Sequence, residues 1–223
     1  LTVFKNELYF RANDGTNREE LWKTDGTATG TVMVADIHPA SGSYPGDLTV
    51  FNNELYFQAD DGTNGIELWK TNGTATGTVM VADIRSGIGG SSPTQLTVFN
   101  NELYFQAFDA NTHYELWKTD GTAIGTVMIA DINPNGDSNP RSLTVVNNEL
   151  YFQADDGTHG TELWKTDGTA TGTVMVADIW TGILGSNPTF LVVVNNELYF
   201  QATDGTNGVE LWQNAQKTTI IYS

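Results

Sequence analysis

The sequence predicts an all-β chain: a five-bladed β-propeller in which each blade is a four-stranded antiparallel sheet. Three observations predict it. The word "LTVF" begins at Leu1, Leu48 and Leu96, and its variants "LTVV" and "LVVV" begin at Leu143 and Leu191, so the copies lie 47, 48, 47 and 48 residues apart. A fixed period of this size marks a solenoid, an array or a propeller. Within each period the segments are short, β-branched or aromatic, and separated by turn residues, while no stretch offers ten residues of helical periodicity. Four antiparallel strands per period describe a propeller blade.

The second copy shows the elements in order. Leu48–Phe51 is a first strand, and Asn52-Asn53 is a tight hairpin turn, because Asn tolerates positive φ. "ELYFQA", Glu54–Ala59, is a second strand, followed by the loop "DDGTNG". "ELWKT", Glu67–Thr71, is a third. "NGTATG" then turns the chain into Thr78–Ile84, the fourth. In "ELYFQA" Leu55, Phe57 and Ala59 face one way, yet Tyr56 on the other side is also bulky. That suits a sheet covered on both faces, as a blade is by its neighbours.

The blades are accordingly expected over 1–47, 48–95, 96–142, 143–190 and 191–223, all in one domain. In the fifth, "QNAQKTTIIYS" shortens the last turn and Thr218–Tyr222 is expected to supply the fourth strand; the fifth blade then packs on the first. Glu7 with Lys23, Glu54 with Lys70, Glu102 with Lys118 and Glu149 with Lys165 should meet across the second and third strands. Gln213 replaces that lysine in the fifth copy, which leaves Glu197 unpaired.

Composition bounds the function. The 223 residues are 39% hydrophobic and 11% aromatic, too apolar for a disordered chain. No apolar run reaches the roughly 18 residues of a membrane helix, so membrane insertion is not expected. With 27 acidic against 10 basic residues, net charge −17, the surface repels phosphate backbones, and nucleic acid is not an expected partner. Cysteine is absent, which removes disulfides, thiol catalysis and Cys-zinc sites. Leu1 is neither an initiator Met nor the start of a signal peptide, so the chain is expected to be processed or a fragment of a larger one, and otherwise a monomer.

At "ELWKTDGT" (Glu20–Thr27, Glu115–Thr122, Glu162–Thr169) the sequence resembles the ELWxxDGT repeat proteins, large bacterial proteins with an expected secreted or cell-surface location. Asn72 replaces the Asp in the second copy, and "ELWQNAQK" loses the DGT in the fifth. The resemblance implies a fold and an extracellular habit. It carries no catalytic residues.

The copies differ on one side. Turns between the first and second strands, and between the third and fourth, are nearly invariant. The loops between the second and third strands, and the crossovers between copies, vary. His38, Tyr44, Phe108, His113, Tyr114, His159 and Trp180 all fall in these variable segments, and aromatics in loops, where burial does not demand them, mark a binding face. Aromatic platforms beside Asp and Asn suit carbohydrate, and repeated weak sites gain avidity. The expected function is therefore a non-catalytic extracellular binding module, lectin-like, with glycan as its partner. The alternative is a structural or adhesive scaffold that binds a surface protein. Calcium is a candidate ion on the loops "DDGTNGIE" (Asp60, Asp61, Asn64, Glu67) and "DDGTHGTE" (Asp155, Asp156, Glu162), although one loop offers fewer than the six to eight oxygens the ion takes. The tryptophans of "ELW" are expected in the core rather than as sugar platforms. Catalysis is not expected: the first strands carry no acid, and equal repeats give equal environments where hydrolysis needs two carboxyls of unequal acidity.

Overall fold

The structure is a computed structural model that describes residues 1–217; the strand expected at Thr218–Tyr222 lies outside the described residues. Five four-stranded sheets are built, and in each the strands pair in chain order. The first holds Thr2–Phe4, Glu7–Asn13, Glu19–Thr24 and Val32–Ala35, and the second Gly46–Phe51, Glu54–Asp60, Ile66–Thr71 and Val79–Ala82. The third holds Thr94–Phe99, Glu102–Asp109, His113–Thr119 and Val127–Ala130, and the fourth Arg141–Val146, Glu149–Asp155, Thr161–Thr166 and Val174–Ala177. The fifth holds Thr189–Val194, Glu197–Thr203, Val209–Gln213 and Gln216–Lys217. No helix occurs among the described residues.

The turns form for the reason the sequence suggests. Asn52-Asn53, Asn100-Asn101 and Asn195-Asn196 all take positive φ at both positions, the geometry that lets a two-residue hairpin match the strand twist. In the long turns Asp25 Oδ1 accepts from both the amide and the hydroxyl of Thr27, at 2.9 and 2.7 Å, and Asn72, Asp120 and Asp167 repeat the arrangement.

Four first strands differ from expectation. They begin two residues earlier, at Gly46, Thr94, Arg141 and Thr189, rather than at the "LTV" word. The pairing register shifts just after that point. Asp47, Gln95, Ser142 and Phe190 sit there with φ between 54° and 63°. Such a bulge lets the chain leave the crossover and still enter the ladder, and no glycine advertises it.

The chain falls into two compact units, Leu1–Ala110 with Lys118–Val127, and Asn111–Trp117 with Met128–Ser223. In the first unit Phe4, Tyr9, Leu21 and Val34, on one face of the first sheet, pack against Leu55, Phe57, Ala59 and Trp69 on the opposite face of the second. In the second unit Val146, Leu163 and Tyr151 of the fourth sheet pack in the same way against Leu198, Phe200, Ala202 and Trp212 of the fifth. The "ELW" tryptophans Trp69 and Trp212 thus belong to the packing between sheets.

All four expected ion pairs form, from Lys23 to Glu7 at 3.0 Å, Lys70 to Glu54 at 2.9 Å, Lys118 to Glu102 at 3.0 Å and Lys165 to Glu149 at 2.8 Å. Glu197 is not left unpaired, however. The Asn214 side-chain amide donates to it, because the shortened turn brings Asn214 to the place the lysine holds elsewhere.

Burial differs between equivalent positions of the repeats. Leu8, Phe10 and Ala12 of the first sheet are only half-buried, whereas their counterparts Leu55, Phe57 and Ala59, or Leu150, Phe152 and Ala154, are fully buried. On the opposite face of the fifth sheet Val194 is 48% and Leu211 42% exposed, where the matching Phe4 and Phe51 are 3% and Leu21, Leu68 and Leu163 are 0%.

Candidate functional site

The variable loops are held by a device the sequence does not announce. The glutamate of each "ELW" in the first four copies (Glu20, Glu67, Glu115, Glu162) is fully buried. Its carboxylate reaches back into the crossover. Glu67 accepts from the amides of Ile84 and Arg85, at 3.2 and 3.1 Å, and from the Ser91 hydroxyl at 2.6 Å. Glu20 with Ser43, Glu115 with Ser138 and Glu162 with Ser186 repeat the latch, each serine donating at 2.6 Å. A buried carboxylate needs several donors to offset its desolvation, and the crossover supplies them. Burial still dominates: it pushes Glu67, Glu162 and Glu115 upward against their hydrogen bonds, Glu115 to about 7.

The first residue past "ADI" then leans on the next copy's loop. A Cβ added at Gly62 would lie 2.5 Å from the His38 ring, and one at Gly157 would lie 2.8 Å from Asn133 Oδ1. At Gly205 the added carbon would run into the Trp180 indole. In the third copy "FDAN" has Ala110 in place of that glycine, and Arg85 stacks on Phe108 instead, at 4.6 Å from the ring centroid. His38, Trp180 and Phe108 therefore brace one loop against the next.

His159 has a local partner as well. Its Nδ1 lies 2.7 Å from Asp156 Oδ2, in the place where Asn64 Nδ2 donates to Asp61 Oδ2 at 2.8 Å. Asp156 is slightly buried, which pushes its pKa upward, but the donors from His159 and Thr158 outweigh this and hold it at about 2. That same hydrogen bond moves His159 upward. Tyr114 is anchored through its backbone, its amide donating to Asp137 and its carbonyl accepting from Ser138 and Asn139. His113 and Tyr44 both take positive φ, at 63° and 50°, and the Tyr44 ring is half-exposed.

The acids named for calcium do not converge. Asp60 Oδ1 accepts from Gly62 N, Asp61 Oδ1 from Thr63 N and Asn64 N, and Glu67 points into its buried latch. Asp155, Asp156 and Glu162 divide in the same way. Among the described residues no three acids or histidines gather closely enough to hold a metal ion, and no helix is long and apolar enough to cross a membrane.

What the structure does bring together is a polar cleft of about 240 Å³ lined by Asn139, Arg141, Gln153, Thr161 and Asn187. Its two asparagines precede prolines and take left-handed φ of 47° and 51°. Asn187 N donates to Thr161 O at 3.0 Å, tying the crossover to the third strand of the fourth sheet. The aromatic count overlooks these residues. The signal was present in "SNPR" and "SNPT", the same asparagine-proline pair at the same place in the third and fourth crossovers.

No protein-family model and no curated protein matches the sequence. Similarity appears at the level of solved structures. A puromycin hydrolase superposes at a TM-score of 0.61 with 13% identity over 96% of this chain and 34% of its own. A puromycin-hydrolyzing peptidase from Mycobacterium tuberculosis gives 0.58 and 11%, over 95% of this chain and 36% of its own. The computationally designed Ika8 protein gives 0.51 and 20%, over 95% and 57%. The chain thus spans about a third of the two hydrolases and little more than half of the designed protein. At these identities the likeness shows the fold alone, and that fold is a propeller.

Proposed function

We propose that the chain is a non-catalytic binding module that holds carbohydrate on its variable loop side. In this reading the five sheets are propeller blades, one per 47–48-residue repeat, and the protein is a secreted bacterial one of the ELWxxDGT kind. The observation that carries the proposal is the cleft of Asn139, Arg141, Gln153, Thr161 and Asn187. Three carboxamides, a hydroxyl and a guanidinium offer donors and acceptors at fixed angles, which is what a ring of sugar hydroxyls requires. The cleft is small, so the ligand is a single sugar unit or the end of a chain. Affinity for a polymer then comes from several weak sites acting together.

The test is a glycan array on the purified chain, with millimolar calcium and again with a chelator. Binding that Arg141→Ala abolishes supports the cleft. Binding lost on chelation directs attention to Asp60, Asp61, Asp155 and Asp156, with calcium as the partner ion. A blank array in both conditions would falsify the glycan reading. The adhesive-scaffold reading then takes its place, and one observation favours it: Ile88 and Ile183, at matching tips of the second and fourth crossovers, are 87% and 78% exposed, apolar contacts of the kind proteins offer one another.

A further inference from the structure

The cleft of Asn139, Arg141, Gln153, Thr161 and Asn187 carries a charge that equivalent positions of the other copies lack. In four copies the first strand opens on a residue paired with the Gln of "ELYFQA". The pairs are Gly46 with Gln58, Thr94 with Gln106, Arg141 with Gln153 and Thr189 with Gln201. The fourth copy alone places a guanidinium there. At the head of the third strand it has Thr161, where the second, third and fifth copies have Ile66, Tyr114 and Val209. The same backbone pairing thus carries a different chemistry in this one copy, through its side chains.

Arg141 also differs from the other arginines in its partners. Arg11 pairs with Glu19 at 3.5 Å, Arg18 reaches the Ser41 hydroxyl at 3.5 Å, and Arg85 stacks on Phe108. Among the described residues Arg141 has no hydrogen bond and no ion pair. No carboxylate lines its cleft, although acids outnumber bases 27 to 10 in the chain. A net charge of −17 repels anions from the surface at large, so an anion is held where a cation stands clear of acids. The guanidinium offers its donors in a planar fork that fits a carboxylate through two parallel hydrogen bonds. We propose that the cleft selects an acidic sugar, the carboxylate of a uronic acid unit resting on Arg141.

This inference rests on the carbohydrate reading of the same cleft and adds the charge of the ligand to it. The remaining lining residues are uncharged carboxamides and a hydroxyl, suited to the hydroxyls of the ring. Asn187 is set in advance for that role: its Nδ2 donates to Gly185 O at 3.1 Å, which fixes the carboxamide in one orientation. Polar groups of this kind around one cation favour a polyhydroxylated ligand over an acidic peptide. A volume of about 240 Å³ admits one ring, so each chain recognises one acidic unit there.

The test is a titration of the full chain with glucuronate, its methyl ester and glucose, followed by NMR of the arginine Nε–H signals. Galacturonate, its ester and galactose are run in parallel, so that ring stereochemistry does not decide the result. Each ester keeps the ring and loses the charge. At least one uronate should bind roughly tenfold more tightly than its ester and its neutral parent. It should also shift the Nε–H signal that disappears in Arg141→Thr. That variant carries the residue of the third and fifth copies, so it is expected to fold, and it should bind acid, ester and neutral sugar alike. Arg141→Lys keeps the charge without the fork and should recover part of the preference. Equal binding of all three forms, or a preference that survives Arg141→Thr, overturns the acidic-sugar inference and leaves the carbohydrate reading standing. Silence from every sugar overturns both. A hexaglutamate peptide that shifts the Arg141 signal where no sugar does overturns them in favour of an acidic protein segment.

Discussion

Gly62→Ala tests whether the variable loops are braced from one copy to the next. Gly62 has φ of +77° and Gly15, its counterpart in the first copy, +83°. Alanine in this left-handed region costs about 1–2 kcal/mol at either position. The surroundings differ. Nothing lies within 4 Å of a Cβ added at Gly15, whereas at Gly62 the new carbon would lie 2.5 Å from the His38 ring. The ring cannot swing away freely, because its Nδ1 accepts from Ser41 N at 3.1 Å. Forcing roughly 1 Å of displacement on a packed group adds about 1–3 kcal/mol. Gly15→Ala should therefore cost about 1–2 and Gly62→Ala about 2–5 kcal/mol in urea unfolding followed by circular dichroism. In a His38→Ala background the excess at Gly62 should vanish, which gives a coupling of about 1–3 kcal/mol in the double-mutant cycle. Equal costs at the two glycines, or an excess that survives removal of the ring, would refute the bracing contact.

The latch offers a second test. Ser91→Ala removes the closest donor to a fully buried carboxylate and should cost about 1–3 kcal/mol, with faster amide exchange concentrated in the crossover that follows Ile84. A third concerns pH. Glu115 has a folded value of about 7 against an ordinary 4.5, so the folded state holds its proton more tightly than the unfolded one. Its contribution is complete below pH about 4.5 and is lost as pH rises through about 7, a change on the order of 3 kcal/mol. The difference in stability between wild type and Glu115→Gln should move in that direction across that window; a flat difference would mean that the hydrogen bonds of the latch fully offset the burial of the anion.

The elements were legible because each rests on local chemistry. A period of two in "ELYFQA", asparagines that tolerate positive φ, and Asp-Gly-Thr turns whose side chains cap their own backbone are properties of a few adjacent residues. The cross-strand lysine–glutamate pairs followed from strand register for the same reason. The bulge at Asp47, Gln95, Ser142 and Phe190 was not legible, since four different side chains serve one backbone conformation there.

The site was read less well. Counting aromatics in loops selected His38, Phe108 and Trp180, and the structure uses these to hold one loop against the next. Grouping acids selected Glu67 and Glu162, which point inward to serines 24 residues further along the chain. In each case the sequence fixes the residue type and the nearest neighbours, while the partner lies in the next crossover or the next sheet. The repeat by itself determined five sheets of four strands, because strand pairing and turns are local. Only the tertiary structure decided which glutamates are buried and which cleft is open, because burial belongs to the surfaces that meet and not to the segment that supplies them.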